Sequence, residues 1–577
     1  MGLSSSYPTT PPALNLDFIN TTALDPRVTF SRSTTAPYYD GKTSVLAEQN
    51  LVLQSQTFGT SWIIQNATQT ANSITAPDGT STGTTLTSTS SVSTSVGAYQ
   101  SVSTIIGSTL AIYAKVGTSN FIGVTSSSGG QSYANFNLNT GVVSSSSNCT
   151  ASIINAGNGW YRCVIANTTT AGTNQFFIAP KDADPSGNPW QFGTCASGNY
   201  VYIWGAQLEQ RSSVTAYNAT TTTPITNYIP QLLTAPINAP RFDFNPTTGE
   251  SLGLLIEQSS TNLLIYSEQL DNTIFWLTGS NTAVLANQVV APDGNITGDQ
   301  ITVTSASNSL RSIDVTVTAN TTYTFSQFVK RGTSTDLLWS VYNTSAAASL
   351  VAPVSYYSQT TATGWARCTL TFTTPVGCTL IRIFPVNNNA VGTVFIWGAQ
   401  LEALPFATSY IPTTSAQVTR ASDNASMTGT NFSSWFNQGQ GTFYAEYFAS
   451  KAGITAGVFV LNDTTISNRI EMRGATSGAD YESIVVTSGT TQADLFAGAG
   501  ITTATRKNAF SYATNNFADS LNGATPQTDT TGSIPNVTQL IIGSLTSNTN
   551  SLNGTIKKIA YYPQALTSAQ LQSLTGS

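Results

Sequence analysis

One phrase of eight residues occurs twice with a change only at its first position, as Tyr202-Ile-Trp-Gly-Ala-Gln-Leu-Glu209 and Phe395-Ile-Trp-Gly-Ala-Gln-Leu-Glu402. Further pairs precede it in the same order: Asn50-Leu-Val-Leu-Gln-Ser with Asn262-Leu-Leu-Ile-Tyr-Ser, Ala76-Pro-Asp-Gly79 with Ala291-Pro-Asp-Gly294, and Gly159-Trp-Tyr-Arg-Cys163 with Gly364-Trp-Ala-Arg-Cys368. The offset between copies varies from 193 to 215 residues. Length differences therefore fall between the phrases, as loop insertions do, and the chain contains two copies of one module.

A shared phrase also follows each repeated glutamate. Asn227-Tyr-Ile-Pro230 matches Ser409-Tyr-Ile-Pro412. The first copy takes 19 residues from Glu209 to its tyrosine, whereas the second takes 8 from Glu402. On this pairing, an insertion of 11 residues is expected in the first copy.

The pattern of apolar residues predicts an all-β protein. Apolar residues alternate over short runs such as Thr322-Tyr-Thr-Phe-Ser-Gln-Phe-Val, with Asn, Asp, Gly and Pro between the runs. A period of two indicates half-buried antiparallel strands. Many such strands at short spacing favour tandem antiparallel β-sandwiches of the jelly-roll kind, the first two duplicated. After about residue 421 a third pattern begins, with the strictly alternating Gly441-Thr-Phe-Tyr-Ala-Glu-Tyr-Phe and a short helix after Thr567 or Ser568.

These observations divide the chain into five expected segments. They are an N-terminal arm and β prelude (1–45), the first sandwich (46–232), a β-hairpin connector (233–258), the second sandwich (259–420) and a third sandwich of the concanavalin or laminin-G kind (421–577).

The amino-acid composition excludes several common classes of catalytic and metal site. The chain has no histidine, so a Ser-His-Asp triad and the commonest zinc ligand are ruled out. Only 8% of residues are charged and the net charge is −6, with no cluster of Lys and Arg, which speaks against a nucleic-acid partner. Five cysteines without CxxC spacing predict buried thiols rather than a metal site or disulfide framework. No signal peptide or apolar run of membrane-spanning length is recognised, so neither export nor membrane insertion is expected.

Five phrases together resemble a bacteriophage virion family, the head-fibre and tail-fibre proteins with phage spike-fibre domains. They are Leu24-Asp-Pro-Arg-Val-Thr-Phe-Ser-Arg-Ser-Thr, Pro240-Arg-Phe-Asp-Phe-Asn-Pro-Thr-Thr-Gly, Gly253-Leu-Leu-Ile-Glu-Gln-Ser-Ser-Thr-Asn-Leu-Leu, Trp397-Gly-Ala-Gln-Leu-Glu with Thr408-Ser-Tyr-Ile-Pro-Thr, and Val418-Thr-Arg-Ala-Ser-Asp423. The match spans roughly residues 14–423. It departs from the family pattern in one place, because a whole extra module precedes the Pro240-Arg-Phe-Asp phrase.

The resemblance implies a structural virion protein with carbohydrate-binding-module-like sandwiches, displayed on the virion surface and usually trimeric. It implies contacts with other virion proteins through the N-terminal segment and attachment to a bacterial surface glycan, with avidity from several copies. A passive capsid decoration or spacer protein without a ligand is the alternative. A polysaccharide depolymerase ranks last, and no catalytic, metal or cofactor residues are assigned.

Tryptophans are the natural candidates for stacking on a sugar ring. Six of the nine pair between the copies, and we interpret Trp204 and Trp397 as core residues because they lie in alternating strands. The three without a counterpart are the glycan-stacking candidates: Trp190, Trp339 and Trp435.

The repeated Glu209 and Glu402 could suggest the carboxylate pair of a glycosidase. Each belongs to a different copy, however, which favours a structural bond or ion pair, with the repeated Arg162 and Arg367 as partners. Asp182-Ala-Asp184 followed by Pro-Ser-Gly has a weak likeness to a calcium loop, but it lacks the terminal glutamate of that motif and favours a plain polar turn.

Overall fold

The chain divides into two compact units in the computed structural model. One comprises residues 45–229 with 287–297, and the other residues 1–44, 230–286 and 298–577. The structure describes these residues: 7–90, 95–126, 131–183, 187, 195–361, 363–450, 455–474, 481–497, 504–545 and 550–576. Within them, no helix combines the length and the apolar composition needed to cross a bilayer.

Three strands precede the first module: β1 (Leu14–Asp17), β2 (Thr29–Ser31) and β3 (Ala36–Asn50). The first module contains β4 (Ile63–Gln65), β5 (Ala67–Ile74), β6 (Gly83–Ser88), β7 (Gly97–Thr104), β8 (Thr109–Val116), β9 (Phe121–Ser126), β10 (Tyr133–Asn137), β11 (Val142–Ser147), β12 (Thr150–Gly157), β13 (Trp160–Ala166), β14 (Gly172–Lys181) and β15 (Tyr200–Glu209).

These strands form two sheets, in the orders β11-β10-β9-β14-β7-β4 and β12-β13-β8-β15-β6-β5. Alternate residues of each strand, such as Leu110, Ile112 and Ala114 of β8, turn into a shared core. The first module is therefore an antiparallel β-sandwich, because apolar residues at a period of two give each sheet one buried face.

Strands β16 (Ile225–Ala235), β17 (Arg241–Phe244) and β18 (Ser251–Ile256) precede the second module, and β3 pairs with β16. The second module contains β19 (Ser260–Asn262), β20 (Trp276–Thr278), β21 (Thr282–Val290), β22 (Ile296–Val303), β23 (Ser309–Ser312), β24 (Val315–Thr316), β25 (Thr322–Arg331), β26 (Leu338–Asn343), β27 (Ala348–Ser355), a 3-10 turn (Tyr357–Gln359), β28 (Ala366–Thr373), β29 (Leu380–Phe384), β30 (Val386–Asn387), β31 (Gly392–Glu402) and β32 (Val418–Arg420).

The larger sheet of the second module has the order β21-β22-β31-β25-β28, and the opposite layer consists of β20-β23-β30 and β24-β29-β26-β27. In both copies the Trp-Gly-Ala-Gln phrase contains a β-bulge. Gly205 and Gly398 have φ values of +64° and +65° there. Glycine is needed because this left-handed conformation is unfavourable for a residue with a Cβ.

The C-terminal sandwich contains β33 (Asn424–Thr428), α1 (Thr430–Ser433), β34 (Gln440–Ala449), β35 (Gly457–Asn462), β36 (Arg469–Gly474), β37 (Tyr481–Thr487), β38 (Thr490–Ala497), β39 (Arg506–Ala513), β40 (Asn516–Leu521), β41 (Gln527–Asp529), β42 (Gln539–Ile542), β43 (Gly554–Tyr562) and α2 (Ser568–Gly576). Its sheets have the orders β17-β18-β43-β34-β39-β40-β41 and β2-β33-β42-β35-β36-β37-β38, with β1 also pairing with β43. The predicted all-β class with antiparallel sandwiches is confirmed.

The strands of the expected prelude and connector belong to the C-terminal sandwich. Leu14 of β1 lies opposite Tyr561, and Leu254 of β18 lies opposite Ile556, both in β43. Phe18 and Phe242 are buried in the same core. Pairing satisfies an edge of β43 that would otherwise expose unpaired backbone groups. Three distant parts of the chain thus build one sandwich.

Candidate functional site

The repeated glutamates are buried acceptors for a threonine six residues further along. Glu209 accepts hydrogen bonds from the backbone N–H of Thr215, at 2.9 Å, and from its hydroxyl. Glu402 accepts the same two bonds from Thr408, with the N–H at 3.0 Å. Both glutamates are fully buried. The predicted structural role is confirmed, and neither carboxylate faces solvent as a catalytic group would.

The repeated arginines bind the same threonines. Arg162 donates to the carbonyl of Thr215 at 2.8 Å, and Arg367 donates to the carbonyl of Thr408. The expected pairing of these arginines with the glutamates was therefore wrong in detail, because the threonine is the common partner. Arg162 and Arg367 also lie over the rings of Tyr113 and Phe328 in their respective copies.

The phrase after the glutamate has a different counterpart from the one expected. Tyr217 of the first copy bonds to Ser55 at 2.6 Å, and Tyr410 of the second bonds to Ser267 at 2.7 Å. Tyr217 and Tyr410 each contact the tryptophan of the repeated phrase, at ring separations of 4.6 Å. The true partner of Tyr410 is therefore Tyr217 rather than Tyr228, and the predicted insertion is wrong. Both copies run eight residues from the glutamate to this tyrosine.

The phrases that carried the family resemblance converge on a buried set of charges, here called the ionic cluster, consisting of Arg32, Arg241, Glu257, Arg420 and Asp423. Asp423 bonds to Arg32 at 2.9 Å and also to Arg241. Glu257 bonds to Arg241 at 2.8 Å and lies 3.5 Å from Arg420. All five residues are buried. Residues of these phrases are therefore part of the protein's interior.

Two buried acids, Glu257 within the ionic cluster and Asp243 beside it, have pKa values shifted in opposite directions. Burial alone would raise the pKa of Glu257, but Arg420 and Arg241 lower it to about 2. Asp243 accepts a hydrogen bond from the backbone of Tyr39 at 2.9 Å. Burial nevertheless raises the pKa of Asp243 to about 6. The cluster is a stability element, because its members are too deeply buried to contact a ligand.

Two of the three glycan-stacking candidates are core residues. Trp339 is 1% exposed and stacks near Tyr356 at 4.4 Å, whereas Trp435 is 6% exposed and packs on Tyr561. A stacking platform needs an exposed ring face, so the expectation for Trp339 and Trp435 is corrected. Trp190 lies outside the described residues and stays a prediction. The core positions predicted for Trp204 and Trp397 are confirmed, at 3% and 1% exposure.

One acid in the C-terminal sandwich has the perturbed pKa that is often found in catalytic groups. Burial raises the pKa of Asp519 to about 7, against the opposing influence of the nearby Ser483 and Asn508 side chains. Asp519 is only 1% exposed, however, and lies on the core-facing side of β40 with Phe517. It is an interior acid with no exposed surface on which a substrate could bind.

The structure gives no sign of a metal site within the described residues, where no group of three or more His, Cys, Asp or Glu side chains is arranged around a common point. Asp182 of the calcium-like turn accepts hydrogen bonds from Ser119, at 2.6 Å, and from the backbone of Ala196. Asp184 lies outside the described residues. Four of the five cysteines are buried, as predicted.

The candidate site lies on the solvent side of β26 and β29 in the second module. Trp339 and Val341 of β26 and Ile381 and Ile383 of β29 point into the core. Because side chains alternate along a strand, the residues between them point outward. We call this surface the outer face, defined by the following residues: Arg311, Asp314, Ser340, Tyr342, Arg382, Phe384 and Asn387.

The strand register places aromatic and polar groups side by side on the outer face. Tyr342 lies directly opposite Arg382, and Ser340 lies opposite Phe384. Tyr342, Arg382 and Phe384 are all partly exposed. The side-chain amide of Asn387 donates to the Ser340 hydroxyl at 2.6 Å. Because Ser340 lies opposite Phe384, this bond holds the Asn387 amide near Phe384. Partly exposed rings beside oriented polar groups are the usual make-up of a sugar-binding surface.

One ion pair orders the charged part of the outer face. Arg382 donates to Asp314 through Nε at 2.7 Å, and Thr344 donates to the same carboxylate at 2.8 Å. Burial is the largest single influence on Asp314 and raises its pKa, but the hydrogen bonds from Thr344 and Arg382 and the charges of Arg382 and Arg311 together lower that pKa overall. The pair holds the Arg382 guanidinium in one orientation while leaving it about one third exposed, at 31%.

The corresponding layer of the first module is closed. Its outward side carries Tyr99, Phe177 and Thr125 in one row of direct strand neighbours. Phe177 and Thr125 are fully buried, and Asn135 in the next row donates to the carbonyl of Gly187 at 2.9 Å. Lys181 on the same side is 1% exposed, and burial lowers its pKa to about 8. Among the described residues, this layer is therefore buried in the first copy and partly exposed in the second.

The outer face was not predicted from the sequence, because the candidates for sugar stacking were restricted to tryptophans without a counterpart in the other copy. The alternation within Leu338-Trp-Ser-Val-Tyr and Leu380-Ile-Arg-Ile-Phe384 could have predicted it. In both segments every second residue, beginning with Trp339 and Ile381, is apolar. That alternation assigns Trp339 to the core and Tyr342, Arg382 and Phe384 to solvent.

Comparisons with known proteins give only weak structural likenesses. No protein-family profile matches the chain, and no curated protein is significantly similar to it. The CBM40 of the Ruminococcus gnavus IT-sialidase bound to α2,3-sialyllactose is 13% identical, with a TM-score of 0.22, covering 25% of this chain and 88% of that one. The CBM22 tandem of Paenibacillus barcinonensis Xyn10C is 10% identical (TM-score 0.19), covering 63% of this chain and 100% of that one. Mouse laminin α1 domains LG4-5 are 9% identical (TM-score 0.19), covering 44% and 86%.

Proposed function

We propose that this chain is a non-enzymatic bacteriophage fibre protein of the head or tail, displayed on the virion surface, whose β-sandwiches bind bacterial surface glycans during attachment. The virion assignment is supported by the phrases shared with spike-fibre proteins. The absence of catalysis is supported by the burial of the repeated glutamates and of Asp519.

The observation that carries the glycan-binding part is the outer face of the second module. It combines the partly exposed rings of Tyr342 and Phe384 with polar groups that are already oriented by hydrogen bonds. A pyranose presents C–H groups on its ring faces and hydroxyls around its edge, so it matches such a surface. A single face of this size binds weakly, and several copies on one virion supply avidity.

The direct test is a glycan array, probed with the intact protein and with Tyr342→Ala and Phe384→Ala variants. We expect binding to at least one bacterial polysaccharide and a loss of about tenfold or more in each variant, because each removes a stacking ring. Tyr228→Ala is the matched control, since Tyr228 is 64% exposed and lies outside the outer face. Absence of binding to every host envelope glycan would overturn the proposal.

The passive spacer remains a second candidate, favoured by the ionic cluster and by the sharing of strands between distant segments. Both features stiffen the chain without making a ligand site. Adsorption of whole virions separates the two functions: Phe384→Ala slows adsorption if the outer face binds the host and leaves it unchanged if the chain is a spacer.

The proposal includes a homotrimer and docking to other virion proteins through the N-terminal segment. Because β1 and β2 are paired inside the C-terminal sandwich, we propose that the residues before Leu14 make the docking contacts. Light scattering of the purified protein tests the trimer. Deletion of residues 1–13, followed by assay of incorporation into virions, tests the docking.

A further inference from the structure

The outer face of the second module carries two arginines at partly exposed positions. The protein has only 21 Lys and Arg in 577 residues and a net charge of −6. Two of those cations, Arg311 and Arg382, lie on this one face, and both lower the pKa of Asp314 by their charge. One carboxylate faces two guanidinium groups, so the local charge is positive on an otherwise acidic protein.

The guanidinium groups retain donors for a ligand. Arg382 uses Nε, at 2.7 Å, and one terminal nitrogen, at 3.4 Å, on Asp314. Within the described residues, the side chain of Arg311 makes one long hydrogen bond, at 3.5 Å, to the carbonyl of Ser312. A guanidinium has five N–H donors in a planar fork, which suits a carboxylate. Each arginine therefore has N–H groups left over at a partly exposed position.

From this geometry we infer that the outer face binds a polysaccharide carrying carboxylate groups, such as those of uronic or sialic acids. The inference rests on the proposed glycan-binding function and names its substrate class. Arg311 and Arg382 bind the sugar carboxylate, and the rings of Tyr342 and Phe384 contact the sugar ring beside it. Charge complementarity selects this ligand, since a neutral glycan would leave the spare donors of both arginines without an anionic partner.

Binding of the intact protein to polygalacturonate, hyaluronan and polysialic acid tests the inference, with each polymer compared with its carboxyl-reduced, neutral form. We expect at least one acidic polymer to bind, with about tenfold or greater weakening on carboxyl reduction. Binding should also weaken with salt, because exposed charge pairs are screened.

Arg382→Gln and Arg311→Gln should each reproduce the loss seen on carboxyl reduction. Arg27→Gln is the matched control, because Arg27 forms an ion pair with Asp25 at the same 2.7 Å and similar exposure outside this face. Circular dichroism and thermal unfolding establish that the variants fold.

The outcomes separate the two levels of the proposal. One outcome is that acidic and reduced polymers bind equally, that the arginine variants do not change binding, and that Phe384→Ala abolishes it. This outcome would overturn the carboxylate inference but would still support the glycan-binding function. Binding to none of these polymers would overturn the carboxylate inference. If every glycan of the host envelope also failed to bind, the proposed function would fall with it.

Discussion

The two copies of the repeated module share their interior and differ at their surfaces. In each copy a buried glutamate binds a threonine, an arginine binds that threonine's carbonyl, and a tyrosine bonds to a serine upstream. The same layer is covered in the first copy and open in the second. Interior hydrogen bonds are costly to lose because each leaves buried groups unpaired, whereas outward positions are free to diverge.

Ser409 links the interior of the second copy to the ionic cluster. Ser409 donates its hydroxyl to Glu257 at 2.6 Å and accepts from Arg241 at 2.7 Å. The equivalent position of the first copy is Ala216, which has no hydroxyl. The second copy is thus attached to a set of buried charges that has no counterpart at this position of the first. Four changes test this difference.

The largest effect is expected for Asp423→Asn. This substitution leaves Arg32 buried without its carboxylate and Arg241 with Glu257 alone, so the unit that contains the second copy should lose about 3–5 kcal/mol of unfolding free energy. Calorimetry should show its transition shifted and that of residues 45–229 unchanged. Asp25→Asn, at a partly exposed pair, is the control, and a shift no larger than the control's would contradict a stabilising role for the cluster.

Acid should destabilise the two units unequally. The folded pKa of Glu257 is about 2, below its unfolded value. Its stabilisation is therefore present above about pH 4.5 and disappears as the pH falls towards 2, a change on the order of 3 kcal/mol. Calorimetry between pH 5 and pH 2 measures it. If both units weaken in parallel over this range, the cluster is not the cause.

Asp243→Asn should stabilise the protein at neutral pH. The folded pKa of Asp243 is about 6, above its unfolded value, so the folded state holds the proton more tightly and stability falls as the pH rises from about 4 to 6. Asparagine still accepts the bond from Tyr39 and carries no charge. A gain of roughly 3 kcal/mol at pH 7, absent at pH 4, is expected from denaturant titration. A loss of stability at pH 7 would show that the buried charge is needed.

The smallest effect is expected for Ser409→Ala, which converts the second copy to the residue of the first. Removing two buried hydrogen bonds to charged groups should cost about 1–3 kcal/mol. The reciprocal Ala216→Ser should change stability by less than about 0.5 kcal/mol, because Ala216 is only partly buried. Equal effects of the two substitutions would mean that Ser409 does not couple its copy to the cluster.

The sequence predicted those features that depend on local pattern. Alternation within single strands indicated antiparallel sandwiches, and the repeated phrases identified the duplication and the structural role of Glu209 and Glu402. The same alternation places Trp339 of β26 in the core. The prediction of a sugar-stacking role for Trp339 was wrong because it relied on the residue type and not on the position within the strand. The predicted equivalence of Tyr228 and Tyr410 was wrong because it relied on the shared Tyr-Ile-Pro sequence and not on the distance from the glutamate. The equivalent hydrogen bonds of Tyr217 and Tyr410 show that these two tyrosines correspond.

By itself, the sequence determined the strand content, the duplication and the exclusion of histidine chemistry, because each of these follows from composition or from neighbours along the chain. Only the tertiary structure decided that Arg32 meets Asp423 across 391 residues, that the prelude and connector complete the C-terminal sheets, and that one copy's outer layer is open. Pairing between strands is chosen by burial and by the satisfaction of sheet edges over the whole fold, and no local pattern records which distant strand supplies the partner.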